Sequence, residues 1–168
     1  MLVMGMIFSS TATADDYPLK DPMGGEAFGT SVKEIGNGLY VFRWWVYRNF
    51  FLVTDEGVIV ADPLNPKAAG VMRKEISKIT DKPVKYVIYS HNHHDHISGG
   101  TVFKEEGAQF IAHENVLTQL GDHPSPVIPL PDITFKDTYT VELGGRSIEL
   151  AYFGPNHGDS LVVMRLPE

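Results

Sequence analysis

Four of the seven histidines in this 168-residue chain fall within six positions. They lie in Ser90-His91-Asn92-His93-His94-Asp95-His96-Ile97-Ser98-Gly99-Gly100. Four imidazoles and a carboxylate this close gain little from one another in a core, whereas a divalent cation satisfies them together. Neutral imidazoles and carboxylates suit Zn²⁺ and can also hold iron or manganese. In extended backbone, residues two apart point the same way. His91, His93 and Asp95 are therefore expected on one side, with Asn92 and His94 facing away. A turn into helix after Asp95 would bring His96 round to the same site. The competing readings are a solvated histidine-rich loop and an adventitious metal-binding tag. A tag would be contiguous and terminal, whereas this cluster is interrupted and follows an apolar run.

That run, 84–89, reads as a short strand buried on both faces, and catalytic loops sit at the carboxyl ends of such strands. Before it, 38–46 is rich in aromatic and β-branched residues and reads as a strand. Segments 49–54 and 58–61 form a hairpin around Asp55-Glu56-Gly57. Segment 66–80 carries Met72, Ile76 and Ile79 at helical spacing. After the cluster come a helical segment at 100–106, a strand at 109–112, a short helix at 115–120 and a proline-rich loop at 121–131. Two strands flank Gly144-Gly145, and another covers 160–164. Strands alternating with helices imply an α/β fold.

Composition narrows the function. With 14 Lys and Arg against 21 Asp and Glu, the formal charge is −7, so nucleic acid is not expected as a partner. No cysteine is present, which removes disulfides, cysteine-ligated zinc, iron–sulfur clusters and thiol catalysis. The run 2–8 is too short to span a membrane, which takes ~20 apolar residues. Followed by Ala12-Thr13-Ala14, it resembles the end of a secretory signal peptide without its basic start. Residues 1–14 are therefore expected to be a signal remnant, with a periplasmic or secreted product; without a working signal the chain would be cytoplasmic. Oligomeric state leaves no mark in the sequence.

The H-x-H-x-D-H run after an apolar strand, closed by a glycine pair, resembles the signature of the metallo-β-lactamase-fold hydrolase superfamily. Segment 49–63 is similar to that family's early hairpin, whose structural aspartate is matched by Asp62. Gly154-Pro155-Asn156-His157-Gly158-Asp159-Ser160 is similar to the segment bearing the third histidine of the first metal site. The resemblance covers about 32–164. It implies a metallo-β-lactamase-like αββα sandwich over 15–168, with its C-terminal part missing. Position by position, it implies His91, His93 and His157 as ligands of the first metal, and Asp95 and His96 as ligands of the second. Asn92 and His94 stay off the metal. The family's remaining second-site ligands lie further along than Glu168, so one competent site, one half-built site and an uncovered apolar sheet face are expected. Asp159 reads as a supporting residue rather than a substitute ligand. His113 and His123 read as satisfied or solvated. Of Trp44 and Trp45, one should pack and the other needs cover or a substrate contact.

The implied cofactor is zinc, one or two ions, with iron and manganese less favoured. Oxygen-reducing di-iron members usually carry glutamate where His93 stands. Zinc held by three histidines lowers the pKa of its water from 15.7 to about 7, giving hydroxide at neutral pH. The expected function is hydrolysis of a small-molecule ester, thioester, lactone or amide, β-lactams included. Asp95 would be the catalytic group, orienting the hydroxide and passing a proton to the leaving group. The alternative is a non-catalytic periplasmic metal-binding or degenerate module.

Overall fold

The computed structural model describes residues 29–122 and 125–167; residues 1–14 and His123 lie outside them. Seven strands form one sheet in sequence order: β1 (Thr30–Gly36), β2 (Leu39–Trp44), β3 (Tyr47–Val53), β4 (Val58–Ala61), β5 (Val84–Ile88), β6 (Gln109–His113) and β7 (Ile133–Phe135). The first four pair antiparallel, and β4 to β7 pair parallel. Parallel pairing needs crossovers, which α1 (Pro66–Ile79) and the short α2 (His94–Ile97) and α3 (Thr101–Glu105) supply. A fourth helix, α4 (Glu114–Asp122), follows β6. A separate antiparallel sheet has the order β10 (Val162–Arg165), β9 (Arg146–Tyr152), β8 (Thr138–Leu143).

Helix α1 starts where Asn65 accepts a hydrogen bond from the Ala68 N–H at 3.0 Å, with Pro66 at a position that needs no N–H. It buries Ala68, Ala69, Met72 and Ile76 along one stripe. That stripe, with Phe103 of α3 and Val116 and Leu120 of α4, packs against Phe42, Phe51, Val60, Val87 and Phe110 on one sheet face. The opposite face presents Leu52, Ile59, Ile88 and Ile111 to Val141, Ile148, Leu150 and Val162 of the small sheet. The described residues thus form helix, sheet and sheet layers of the αββα sandwich. Outside the small sheet, Thr138, Thr140, Glu142 and Arg165 are exposed beside Val163. Strand alternation sends the apolar set of the small sheet inward.

Other differences are local. The strand expected over 38–46 breaks at Trp45, whose φ of 56° turns the chain back into β3. No glycine, proline or asparagine marks that turn. Trp44 packs against the helix-side core, and Trp45 is half-buried in the turn, its N–H on the Gly29 carbonyl and its carbonyl on Arg43. Strands β1 and β7 go beyond the sequence reading. No helix among the described residues is long and apolar enough to cross a membrane.

Candidate metal centre

Strand β5 delivers the histidine cluster from the core. Val87, Ile88 and Tyr89 are fully buried, and the Tyr89 N–H extends the pairing to Ile111 of β6 at 2.9 Å. The backbone bends at 90–92, is extended at His93 and turns into α2 at His94. Regular strand alternation therefore ends before the histidines. His91 and His93 face the site, while the Asn92 carboxamide accepts a bond from Ser160 Oγ on the opposite loop at 3.0 Å. Asp95 belongs to the helix, so the expected alternation does not reach it. His94 is exposed and takes no part in the cluster.

His91, His93 and His157 bring their ligand nitrogens within 4.8 Å of one another. In a tetrahedral zinc site with bonds of ~2.0–2.1 Å, such nitrogens stand about 3.3 Å apart, so small side-chain movements close the gap. His91 is buried, His93 is half-buried, and His157 is exposed on the loop between β9 and β10. His91 Nε2 is buried without any hydrogen-bond partner. Burial, then the facing His96, push the His91 imidazole down to about 4 against an opposing pull from Asp62, and His93 and His157 add to the push. At neutral pH it is the uncharged ligand form. An orphaned lone pair beside two further imidazoles fits a transition-metal ion.

Asp62 fixes which nitrogen of each imidazole is available. It follows β4 at φ 47°, a left-handed conformation that a short polar side chain tolerates. Its carboxylate can only accept hydrogen bonds. Oδ1 takes the Ser90 N–H at 2.8 Å; Oδ2 takes the Ser90 hydroxyl at 2.6 Å and His96 Nδ1 at 3.0 Å. With its single proton given to Asp62, Ser90 Oγ must accept from His91 Nδ1, 2.7 Å away. Both His91 and His96 are thereby protonated on Nδ1 and keep Nε2 as a lone pair. His96 is raised above the usual histidine range, first by the Asp62 hydrogen bond, against desolvation. Asn49 Nδ2 holds the carbonyls of Ala61 and Asp62, and the Leu64 N–H binds the His96 carbonyl at 2.7 Å. A Cβ on Gly99 would come within 2.5 Å of the Pro63 carbonyl oxygen and 2.6 Å of that of Asn65, so glycine is required for the cluster to reach this loop.

Asp95 stands at the mouth, with Oδ2 3.7 Å from His96 Nε2 and 3.1 Å from the Tyr47 hydroxyl. Burial raises its carboxyl, but Tyr47, its own backbone, His96 and His93 together hold it below the usual carboxylate range. His96 lies within ligand distance of Asp62 and His91, and Asp95 stands outside both three-residue clusters found among the described residues. Asp159 also stands outside them; its side chain accepts from Gln119. His113 is buried and satisfied, Nε2 on the Lys136 carbonyl at 2.8 Å and Nδ1 accepting the Asn115 N–H at 3.2 Å. Sequence reasoning missed Ser90, Tyr47 and Ser160. Ser90 could have been suspected as a hydroxyl beside the first histidine; Tyr47 and Ser160 are linked to the cluster only through the fold.

The family model described as the metallo-beta-lactamase superfamily matches residues 43–168. The chain is 30% identical over 125 residues to 2,4-dinitroanisole O-demethylase subunit alpha of Nocardioides sp. (strain JS1661), covering 73% of this chain and 38% of that protein. It is 29% identical over 119 residues to Metallo-beta-lactamase type 2 of Bacillus sp. (strain 170), covering 70% and 45%. It therefore spans less than half the length of either relative. A solved metallo-beta-lactamase from Pontibacter korlensis superposes with a TM-score of 0.72 at 20% identity, covering 83% of this chain and 67% of that one, which speaks for the fold. The family match over most of the chain thus agrees with a layered fold that gathers three histidines at the exit of β5, and the chain belongs to the metallo-beta-lactamase superfamily.

Proposed function

We propose that this chain carries the metal centre of a zinc-dependent hydrolase acting on a small-molecule ester, thioester, lactone or amide, β-lactams included. The observation that carries the reading is the buried, unpartnered Nε2 of His91 facing His93 and His157. His91, His93 and His157 would hold the first ion, with Asp95 and His96 offering two ligands to a second. Bound there, zinc supplies an acidified water and polarises the substrate oxygen. The chain's own part is to keep the His91 imidazole neutral and, through Asp62 and Ser90, to place the Nδ1 protons of His91 and His96 away from the site. The Asp95 carboxylate, partly exposed and ionised, is placed to accept a proton at the mouth and pass it to a leaving group. Residues 1–14 are included in this proposal as a leader, with the mature chain beginning at Asp15 and exported.

The test is zinc titration by calorimetry with metal analysis on the chain and on its His91→Ala, His93→Ala and His157→Ala variants. About one zinc per chain is expected, lost in each variant. Zinc affinity indifferent to all three substitutions would overturn the assignment. A panel of nitrocefin, a lactone and a glutathione thioester then assigns substrate. The Nocardioides relative is named for O-demethylation of 2,4-dinitroanisole, so that activated aryl ether joins the panel. Zinc bound without an exchangeable position, and no turnover in a full-length protein, would favour a non-catalytic metal-binding module.

A further inference from the structure

Of the three converging histidines, His157 alone is exposed and lies on a surface loop. The bonds within that loop are short-range: the His157 N–H to the Asn156 side chain, the Asn156 N–H to the Gly158 carbonyl at 2.9 Å, and Asn156 Nδ2 to the Gly154 carbonyl at 3.0 Å. They shape the loop but do not fasten it to the molecule. Two anchors follow His157: Ser160, whose hydroxyl donates to Asn92 Oδ1 at 3.0 Å and accepts the Asn92 N–H at 3.2 Å, and, nearer to His157, Asp159, which ties the loop to α4. Its carbonyl accepts from Asn115 Nδ2 and from the Tyr152 hydroxyl, the latter at 2.9 Å, and its carboxylate accepts from Gln119 Nε2.

Asn115 and Gln119 stand four apart on α4, so they share one helix face. The Gln119 amide must present its nitrogen, because its oxygen would meet the lone pairs of the Asp159 carboxylate. The root of this face is itself fixed. The Asn115 N–H donates to His113 Nδ1, and the His113 ring lies on Tyr152 with centroids 3.9 Å apart. Nothing in this assembly touches the ligand nitrogens.

We infer that Asn115 and Gln119 are positioning residues for the metal centre, with α4 holding the His157 loop against Asp159 so that the third imidazole meets His91 and His93. The inference rests on the reading of His157 as a ligand. Released from α4, the loop would sample positions in which only two imidazoles converge, and zinc would have to order it on binding.

The experiment measures zinc affinity by competition with a chromophoric chelator, alongside thermal unfolding of the metal-free chain. The variants are Asn115→Ala, Gln119→Ala, Gln119→Glu and, as a control on the same helix, Thr118→Ala, whose hydroxyl bonds only the Glu114 carbonyl. Asn115→Ala and Gln119→Ala should each weaken zinc about 10-fold, the lower end of what removing support from ligands costs. Gln119→Glu should weaken it more, since it sets a second carboxylate against Asp159. Thr118→Ala should leave affinity unchanged, and all four should unfold near the parent temperature. His157→Ala separates the two ideas. If it weakens zinc while the α4 variants do not, the inference is overturned and the ligand assignment stands. If it has no effect, both fall. Affinity that declines only in step with unfolding temperature, Thr118→Ala included, would also overturn the inference.

Discussion

Asp62→Asn changes one oxygen to NH2 and leaves the backbone unstrained, since asparagine tolerates the same left-handed φ. The remaining carboxamide oxygen can keep the bond from the Ser90 N–H. The two bonds at Oδ2, from the Ser90 hydroxyl and His96 Nδ1, lose their acceptor and meet a donor instead. Hydrogen bonds to a charged group contribute about 1.5–3 kcal/mol each, so losing two costs about 3 kcal/mol at least. The structure can recover part of this. The new NH2 can donate to Ser90 Oγ and to His96 Nδ1 if both imidazoles move their proton from Nδ1 to Nε2. Regaining about 1 kcal/mol leaves metal-free stability about 2 kcal/mol lower. The recovery removes the lone pairs a metal needs, so zinc should bind roughly 10- to 100-fold more weakly. Denaturant unfolding of the metal-free chain, chelator competition and nitrogen NMR of the imidazoles read the three effects separately. Zinc affinity within about twofold of the parent, with His91 and His96 still protonated on Nδ1, would refute the argument that Asp62 sets their tautomers.

Two more outcomes concern stability alone. Burial pushes the Asp132 carboxyl up, but Lys104 Nζ at 2.6 and 2.9 Å and the Phe110 N–H at 2.8 Å bring it below the usual range. A carboxyl depressed on folding stabilises above its unfolded pKa, and that stability is lost as pH falls through the folded value. The unfolding free energies of the parent and Asp132→Asn should differ by about 1 kcal/mol at neutral pH, and the gap should close once pH falls below the ordinary carboxylate range; a gap that persists in strong acid would exclude the ion pair as its cause. Gly99→Ala should destabilise by about 1–3 kcal/mol, because its Cβ would meet backbone carbonyls rather than a side chain that can swing away. Denaturant titration checks it, and an unchanged midpoint would show that the Pro63–Asn65 loop yields.

His91 and His93 were legible because the apolar strand β5 delivers them at its carboxyl end, although the chain bends at 90–92 instead of continuing the strand. Asp95 departs further from the expected alternation, because α2 begins at His94 and replaces a period of two by the helical one. His157 could be assigned only through the resemblance, since its loop meets the cluster from a different sheet, far along the chain from His91. The turn at Trp45 was hidden because a tryptophan adopts a conformation usually left to glycine or asparagine. Strand β1 was missed because six of its seven residues are exposed, leaving little apolar alternation to read. Contacts such as the Tyr47 hydroxyl with the Asp95 carboxylate and the Asn115 side chain with the Asp159 carbonyl join groups far apart in sequence, and no periodicity encodes them.

The three imidazoles do not come from one layer. His91 and His93 leave the large sheet, while His157 leaves the small one, and the two sheets otherwise meet through apolar side chains and bonds such as the Val162 N–H to the Ser90 carbonyl at 2.9 Å. An ion held by all three would act as a rivet between layers. Swinging the small sheet away would require releasing it, so at a free concentration about 100 times its dissociation constant the opening becomes about 2.7 kcal/mol harder. The hairpin of β1 and β2, remote from the rivet in sheet order, would open as before. Amide exchange in β8 to β10 would then act as a gauge of metal occupancy, with β1 and β2 as the internal reference.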